Sequence, residues 1–131
     1  MDIISVLNDL PGLKRFSPAK KSAIKTAEET LGVTFAEDYR QYLRSFGFVS
    51  TDGIDLTGLA KANRSNVVTV TKMARELFEQ FQAGMYVIAQ DHPKDDSFVL
   101  QNRDGIVYLL DSENPPVKYA DSLAEFLLNA G

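Results

Sequence analysis

The sequence predicts an α+β fold: an antiparallel β-sheet of about five to six short strands, packed with N-terminal helices, one inserted helix and a C-terminal helix. Three observations point there. The first part of the chain places apolar residues at helical spacing, as in Tyr39, Tyr42, Leu43 and Phe46. From Met85 onward, short runs of β-branched and aromatic residues alternate with turn residues. Near the end, Ser122 followed by Glu125 has the form of a capping box, which opens a last helix. The 131 residues fit one domain, 1–131, and no internal repeat, low-complexity tract or linker interrupts them.

Taken in order, Ile3, Ile4, Leu7 and Leu10 form the apolar side of a short first helix, which Pro11-Gly12 stops. Ser17 and Pro18 read as the N-cap and first position of a second helix, with Ile24, Ala27 and Leu31 on one face and Gly32 as its stop. The charges of that helix oppose its dipole. Lys20 and Lys21 stand at the positive end and Glu28 and Glu29 at the negative end, with no visible compensation. A third helix, about 36–46, obeys the same rules: Glu37 and Asp38 open it, Arg40 and Arg44 lie toward its end, and Gly47 suits its C-cap.

Phe48-Val49 and the stretch 54–56 read as short strands around a turn at Thr51-Asp52-Gly53. Val67, Val70, Ala74, Leu77, Phe78 and Phe81 keep helical spacing, which predicts the inserted helix from about 66 to 81. Three strands follow at 85–89, 97–101 and 106–110, the last two joined by a hairpin turn at 102–105. The run 106–110 is apolar on both faces, so a central place in the sheet is expected. Pro115-Pro116 precedes an edge-like strand at 117–119, and Leu123, Phe126 and Leu127 dock the last helix on the core.

With 44% hydrophobic and 24% charged residues, the composition is that of an ordinary folded protein. The absence of cysteine excludes disulfide frameworks, thiolate metal sites and thiol catalysis. The N-terminus carries acid where a secretory signal carries base, and no apolar run approaches the roughly eighteen residues of a membrane span, so a cytoplasmic location without membrane partners is expected. Net charge is −4, unevenly spread: +3 over residues 1–25 and −7 over residues 26–131. An acidic body of this kind repels nucleic acid and attracts basic protein surfaces.

Candidate chemistry is sparse. His92, the single histidine, has Asp91, Asp95 and Asp96 around it and could be imagined as a base or metal ligand. There is no G-x-S-x-G elbow, a zinc site needs two or three histidines or cysteines, and the aspartates lack the spacing of a calcium loop. The stretch reads as a solvated loop between strands. Gly47, Gly53, Gly58, Gly84 and Gly105 are explained as turns or caps, with no phosphate-cradling or dinucleotide fingerprint. No catalytic, cofactor-binding or metal-ligating residues are therefore expected. Lys14, Arg15, Lys20, Lys21 and Lys25 form a basic cluster with only Phe16 as an aromatic neighbour, so a solvated helix face is preferred over a nucleic-acid site. Asp91, Asp95, Asp96, Asp104, Asp111 and Glu113 lie in predicted loops and turns and are together the expected partner-binding surface.

Several segments resemble one known family. The run Glu29-Thr30-Leu31-Gly32-Val33-Thr34-Phe35-Ala36-Glu37-Asp38-Tyr39-Arg40-Gln41-Tyr42-Leu43, followed by Gly47, is similar to the signature of the SUKH (Smi1/Knr4) family. Leu56-Thr57-Gly58-Leu59 resembles its short strand ending in glycine, and Asn66-Val67-Val68 with Thr71 and Arg75 resembles a segment of one bacterial branch. Gly105-Ile106-Val107-Tyr108 and the stretch from Ala120 to Leu127 resemble its closing strand and helix. Ala36 stands where the signature has proline, and Leu123 where it has phenylalanine. The resemblance covers nearly the whole chain and implies an SMI1/KNR4-like α+β fold. For most bacterial members it implies immunity, by direct stoichiometric binding, against polymorphic toxins that are often nucleases or deaminases. Eukaryotic members look like interaction modules in signalling and cell-wall regulation, so a non-catalytic scaffold for an endogenous protein is the alternative. The family carries no catalytic residues to transfer.

Overall fold

The N-terminal half is helical where apolar residues recur every third or fourth position. The computed structural model describes residues 2–90, 97–111 and 113–130. Helix α1, Ile3–Asn8, is capped by the Asp2 carboxylate, which accepts the Ile4 N–H at 3.2 Å. Helix α2 spans Lys21–Leu31 and helix α3 spans Glu37–Phe46, the latter burying Tyr39, Tyr42, Leu43 and Phe46 as its spacing predicts.

Helix α2 starts later than its sequence suggests. Ser17 is not the cap: the N-cap residue is Lys20, whose side chain makes no capping bond. The chain before it is held elsewhere, because the Ala19 N–H donates to the Leu43 carbonyl at 2.9 Å and the Phe16 N–H to the Phe48 carbonyl at 3.1 Å. This segment extends a two-stranded ladder of β1, Lys14–Arg15, and β2, Val49–Ser50, paired antiparallel. Gly47 permits the approach, since it has φ 70° and a Cβ there would run into the Ser17 carbonyl oxygen. Gly58 is similarly pressed, with the Gly47 carbonyl oxygen 2.6 Å and the Tyr42 hydroxyl 2.9 Å from where a Cβ would stand.

The acidic end of α2 finds compensation from other helices. One Glu28 carboxylate oxygen accepts the Phe35 N–H at 2.8 Å and the Arg40 guanidinium at 2.7 and 3.2 Å. Arg75 donates to the Leu31 carbonyl at 2.9 Å, so a cation sits at the negative end of the helix. Nothing comparable offsets Lys20 and Lys21 at the other end, where the first turn holds no acid.

The main sheet has the order β3-β4-β5-β6-β7, all neighbours antiparallel. Its strands are β3, Asp55–Leu56; β4, Tyr86–Gln90; β5, Phe98–Gln101; β6, Val107–Leu110; and β7, Val117–Ala120. The strands flanking Thr51-Asp52-Gly53 exist but do not pair with each other; β2 joins β1 and β3 joins β4. The central strand is β5, and β6 lies second from the edge, with Tyr108 and Leu109 half-buried. Two apolar faces explain why β5 is buried throughout and β4 is buried up to Gln90. Tyr86, Ile88, Ala89, Val99 and Val107 meet α1, α2, α3 and the C-terminal helix α5, Leu123–Ala130. Val87, Phe98, Leu100 and Leu110 meet Val70 and Ala74 of the inserted helix. A bulge between Val87 and Ala89 lets Ile88 and Ala89 both join the first cluster.

That inserted helix, α4, spans Val67–Leu77 and begins at Asn66, whose side chain accepts from the Val68 and Thr69 amides. It stops short of Phe81, because Phe78 is already extended. Phe78 and Phe81 retain helical spacing in the sequence because both still pack on the second cluster, Phe78 edge-on against Phe98 at 5.3 Å.

Polar side chains join helices to sheet within the core. The Tyr86 hydroxyl accepts the Ala36 N–H at 2.8 Å and donates to Gln101 Oε1 at 2.7 Å. Gln101 Nε2 donates to Asp38 Oδ1 at 3.0 Å and to the Gly105 carbonyl at 3.1 Å, while Asp38 Oδ2 accepts the Leu123 N–H at 2.9 Å. Thr57 Oγ1 donates to the Val87 carbonyl at 2.8 Å, so the Tyr39 hydroxyl, also 2.8 Å away, donates to Thr57. The Tyr42 hydroxyl donates to the Thr57 carbonyl at 2.6 Å. Replacing Tyr86 by Phe strands the Ala36 amide and the Gln101 oxygen at once. Tyr86→Phe is expected to lower unfolding free energy in urea by about 1–3 kcal/mol. A midpoint indistinguishable from that of the parent protein would contradict this reading.

Candidate functional site

Of the acidic residues expected to meet a partner, those described (Asp104, Asp111 and Glu113) divide between the two ends of the sheet. Antiparallel pairing puts the end of β4, the start of β5, the end of β6 and the start of β7 at one end, since Gln90 pairs with Phe98 and Phe98 with Leu110. Asp111 follows Leu110 directly. Its carboxylate folds the next turn by accepting the Glu113 N–H at 2.9 Å and the Asn114 N–H at 2.8 Å. This arrangement is the ordinary work of an aspartate in a turn, and it leaves Glu113 exposed.

Asp91, Asp95 and Asp96 lie outside the described residues, as does His92; the strand ends bordering them belong to this same end of the sheet. Asp104 does not. It sits in the β5–β6 hairpin, where its N–H donates to Asn102 Oδ1 at 3.1 Å, beyond the Gln101–Val107 pair. That pair lies three residue steps along the strand from the Phe98–Leu110 pair, a distance of roughly 10 Å.

One carboxylate at the acidic end was missed by sequence reasoning. Asp55 pairs with Gln90 and is half-buried there, engaged in interactions of its own. Only the pairing of β3 with β4 brings it into place, and no local pattern announces a partner more than thirty residues away.

The buried polar groups are spoken for. Burial pushes the Tyr39, Tyr42 and Tyr86 hydroxyls upward from the usual tyrosine range, so all three remain protonated and serve as hydrogen-bonding groups. Both oxygens of Asp38 are engaged. Among the described residues no buried side-chain nitrogen or oxygen lacks a partner, and no group of three metal-capable side chains comes together. No helix among them is long and apolar enough to cross a membrane.

A concavity lies elsewhere, a groove of about 460 Å³ between α2 and α3, lined by Lys21, Ile24, Lys25, Glu28, Arg40 and Arg44. The sequence showed Lys21 and Lys25 as one stripe of a helix. It did not show that Arg40 and Arg44 face them.

Residues 1–130 match the model of the SUKH family described as SMI1-KNR4 cell-wall. No curated protein matches the chain in sequence. In three dimensions it is similar to a protein from Pseudomonas syringae pv. tomato known from its crystal structure. The TM-score is 0.77 at 14% identity, over 97% of this chain and 94% of that one. So low an identity speaks for the fold alone, but the family match spans the signature segments and the buried residues that give them their purpose. The chain belongs to the SMI1-KNR4 cell-wall family of SUKH proteins.

Proposed function

We propose that this protein is a cytoplasmic immunity protein that neutralises a polymorphic toxin by forming a stoichiometric complex, without catalysis. The observation that carries the reading is membership of the SUKH family, whose bacterial members the sequence resemblance associates with immunity. The arrangement of polar groups supports it: among the described residues, the buried polar side chains are all engaged with one another or with the backbone.

The contact surface in this proposal is the acidic end of the sheet, with Asp111 shaping the turn that presents Glu113, together with Asp91, Asp95 and Asp96 of the segment that joins β4 to β5. A nuclease toxin must hold phosphates with basic residues, so an acidic inhibitor speeds encounter and covers the substrate groove. Size permits it. The exposed surface is 7177 Å², and a standard interface takes ~800 Å² from each partner. Asp104, at the other end, adds only long-range attraction.

The word cell-wall in the family's description favours a second reading, a scaffold for an endogenous cell-wall or signalling protein. Gene neighbourhood separates the two. A toxin gene with a variable C-terminal domain next door supports immunity, and a cell-wall or signalling gene supports the scaffold.

Co-expression with toxins encoded beside the gene is expected to restore growth and to yield a one-to-one complex on purification; neither rescue nor complex would defeat the proposal. Within such a complex, neutralising Asp91, Asp95, Asp96 and Glu113 together is expected to slow association about tenfold at low salt. The effect should fade as added salt shortens the Debye length below ~10 Å. Neutralising Asp104 alone should leave the association rate nearly unchanged, and equal effects from both changes would place the contact elsewhere.

A further inference from the structure

The groove between α2 and α3 has the opposite character from the acidic end. Four cations, Lys21, Lys25, Arg40 and Arg44, line it with a single carboxylate, Glu28. Two of the cations are partly neutralised: Arg40 holds Glu28 at 2.7 Å, and Arg44 holds the exposed Glu37 at 2.8 Å. Among the described residues Lys21 and Lys25 pair with no carboxylate. Arg40 directs only Nε and Nη2 to Glu28, and its Nη1 makes no bond among the described residues. The groove thus keeps unspent positive charge over an apolar floor at Ile24, on a chain whose net charge is −4.

Helix electrostatics make that charge conspicuous. The first turn of α2 carries Lys21 and no acid, and its N-cap Lys20 makes no side-chain capping bond. Acids there would stabilise the helix, so the lysines act against it. At the other end of α2 the equivalent conflict is resolved by Arg40 and Arg75. A local rule broken without internal compensation is expected where a residue serves something outside the fold.

We propose that the α2–α3 groove is a binding site for an acidic peptide segment of a protein partner, separate from the acidic sheet end and independent of the immunity reading. The cations form two rows. Lys21 and Lys25 are one turn apart on α2, Arg40 and Arg44 one turn apart on α3, and four residues of helix rise ~6 Å. Alternate side chains on one face of an extended peptide are ~6.7 Å apart, so carboxylates at every second position meet both cations of a row. Arginine adds planar, bidentate recognition of carboxylates. A nucleic-acid strand fits less well, because the groove has no aromatic lining for base stacking and residues 26–131 carry −7.

The test is an amide NMR titration of the full chain with a synthetic peptide of alternating Glu and Ser, beside an oligothymidylate of equal charge. Saturable shifts at Lys21, Lys25, Arg40 and Arg44 are expected with the peptide. Lys21→Glu with Lys25→Glu should weaken binding by about tenfold or more, while Lys61→Glu with Lys72→Glu, which changes net charge equally, should weaken it less than about threefold. Lys21→Gln with Lys25→Gln provides a milder pair should the reversal disturb folding, and should also weaken binding more than the control pair. Absence of saturable shifts, equal loss in the two charge-matched variants, or saturation by oligothymidylate at lower concentration than by peptide would each overturn the proposal.

Discussion

A hydroxyl, an amide or a carboxylate can be placed in an apolar core only if each of its hydrogen-bonding atoms is satisfied, because each one left unpaired costs about 1–3 kcal/mol. Six such side chains meet where the helices face the sheet: Asp38, Tyr39, Tyr42, Thr57, Tyr86 and Gln101. Asp38 joins the first turn of α3 to the start of α5, and Gln101 joins both to the β5–β6 hairpin. Thr57 draws two tyrosines of α3 to the edge strand beside β4. Apolar contacts alone would tolerate small shifts of a helix over a sheet. These bonds tolerate only one register. The rings of Phe35, Tyr39 and Tyr86, with centroids about 5 Å apart, fill the space around them.

This constraint also bears on where function can reside. The tyrosine hydroxyls stay protonated and the Asp38 carboxylate is fully engaged, so the most conspicuous polar residues of the signature segment build the scaffold. In the proposed reading, recognition falls to what the scaffold presents: turns at the acidic end of the sheet, and the cationic groove between α2 and α3. Surfaces of opposite sign on one small domain suit contact with more than one charged element of a protein partner.

Much of the fold was legible because its signals are local. The stripe on α3 and the Ser122–Glu125 pair at α5 each involve residues three or four apart, within reach of sequence rules. Long-range pairings were not. Ser17 looks like a cap, but α3 captures the adjoining backbone through Ala19 and Leu43. Phe48-Val49 and residues 54–56 look like a hairpin, but each strand finds a partner elsewhere. Glu28 looks misplaced until Arg40 arrives from the next helix. The same limit applied to the surface: Asp104 and Asp111 seem equivalent as loop acids, yet strand direction sends them to opposite ends, and it brings Asp55 beside Gln90 unannounced.

Native-state hydrogen exchange tests the central claim, that the buried polar network holds helices and sheet as one unit. The amides of Ala36, Val87 and Leu123 donate to Tyr86, Thr71 and Asp38 side chains and belong to no helical or strand ladder through those bonds. All three are predicted to exchange only through global unfolding, with the free energy obtained from denaturant melts. Exchange of Ala36 or Leu123 through small local openings, at rates insensitive to denaturant, would show that the network is incidental to the fold.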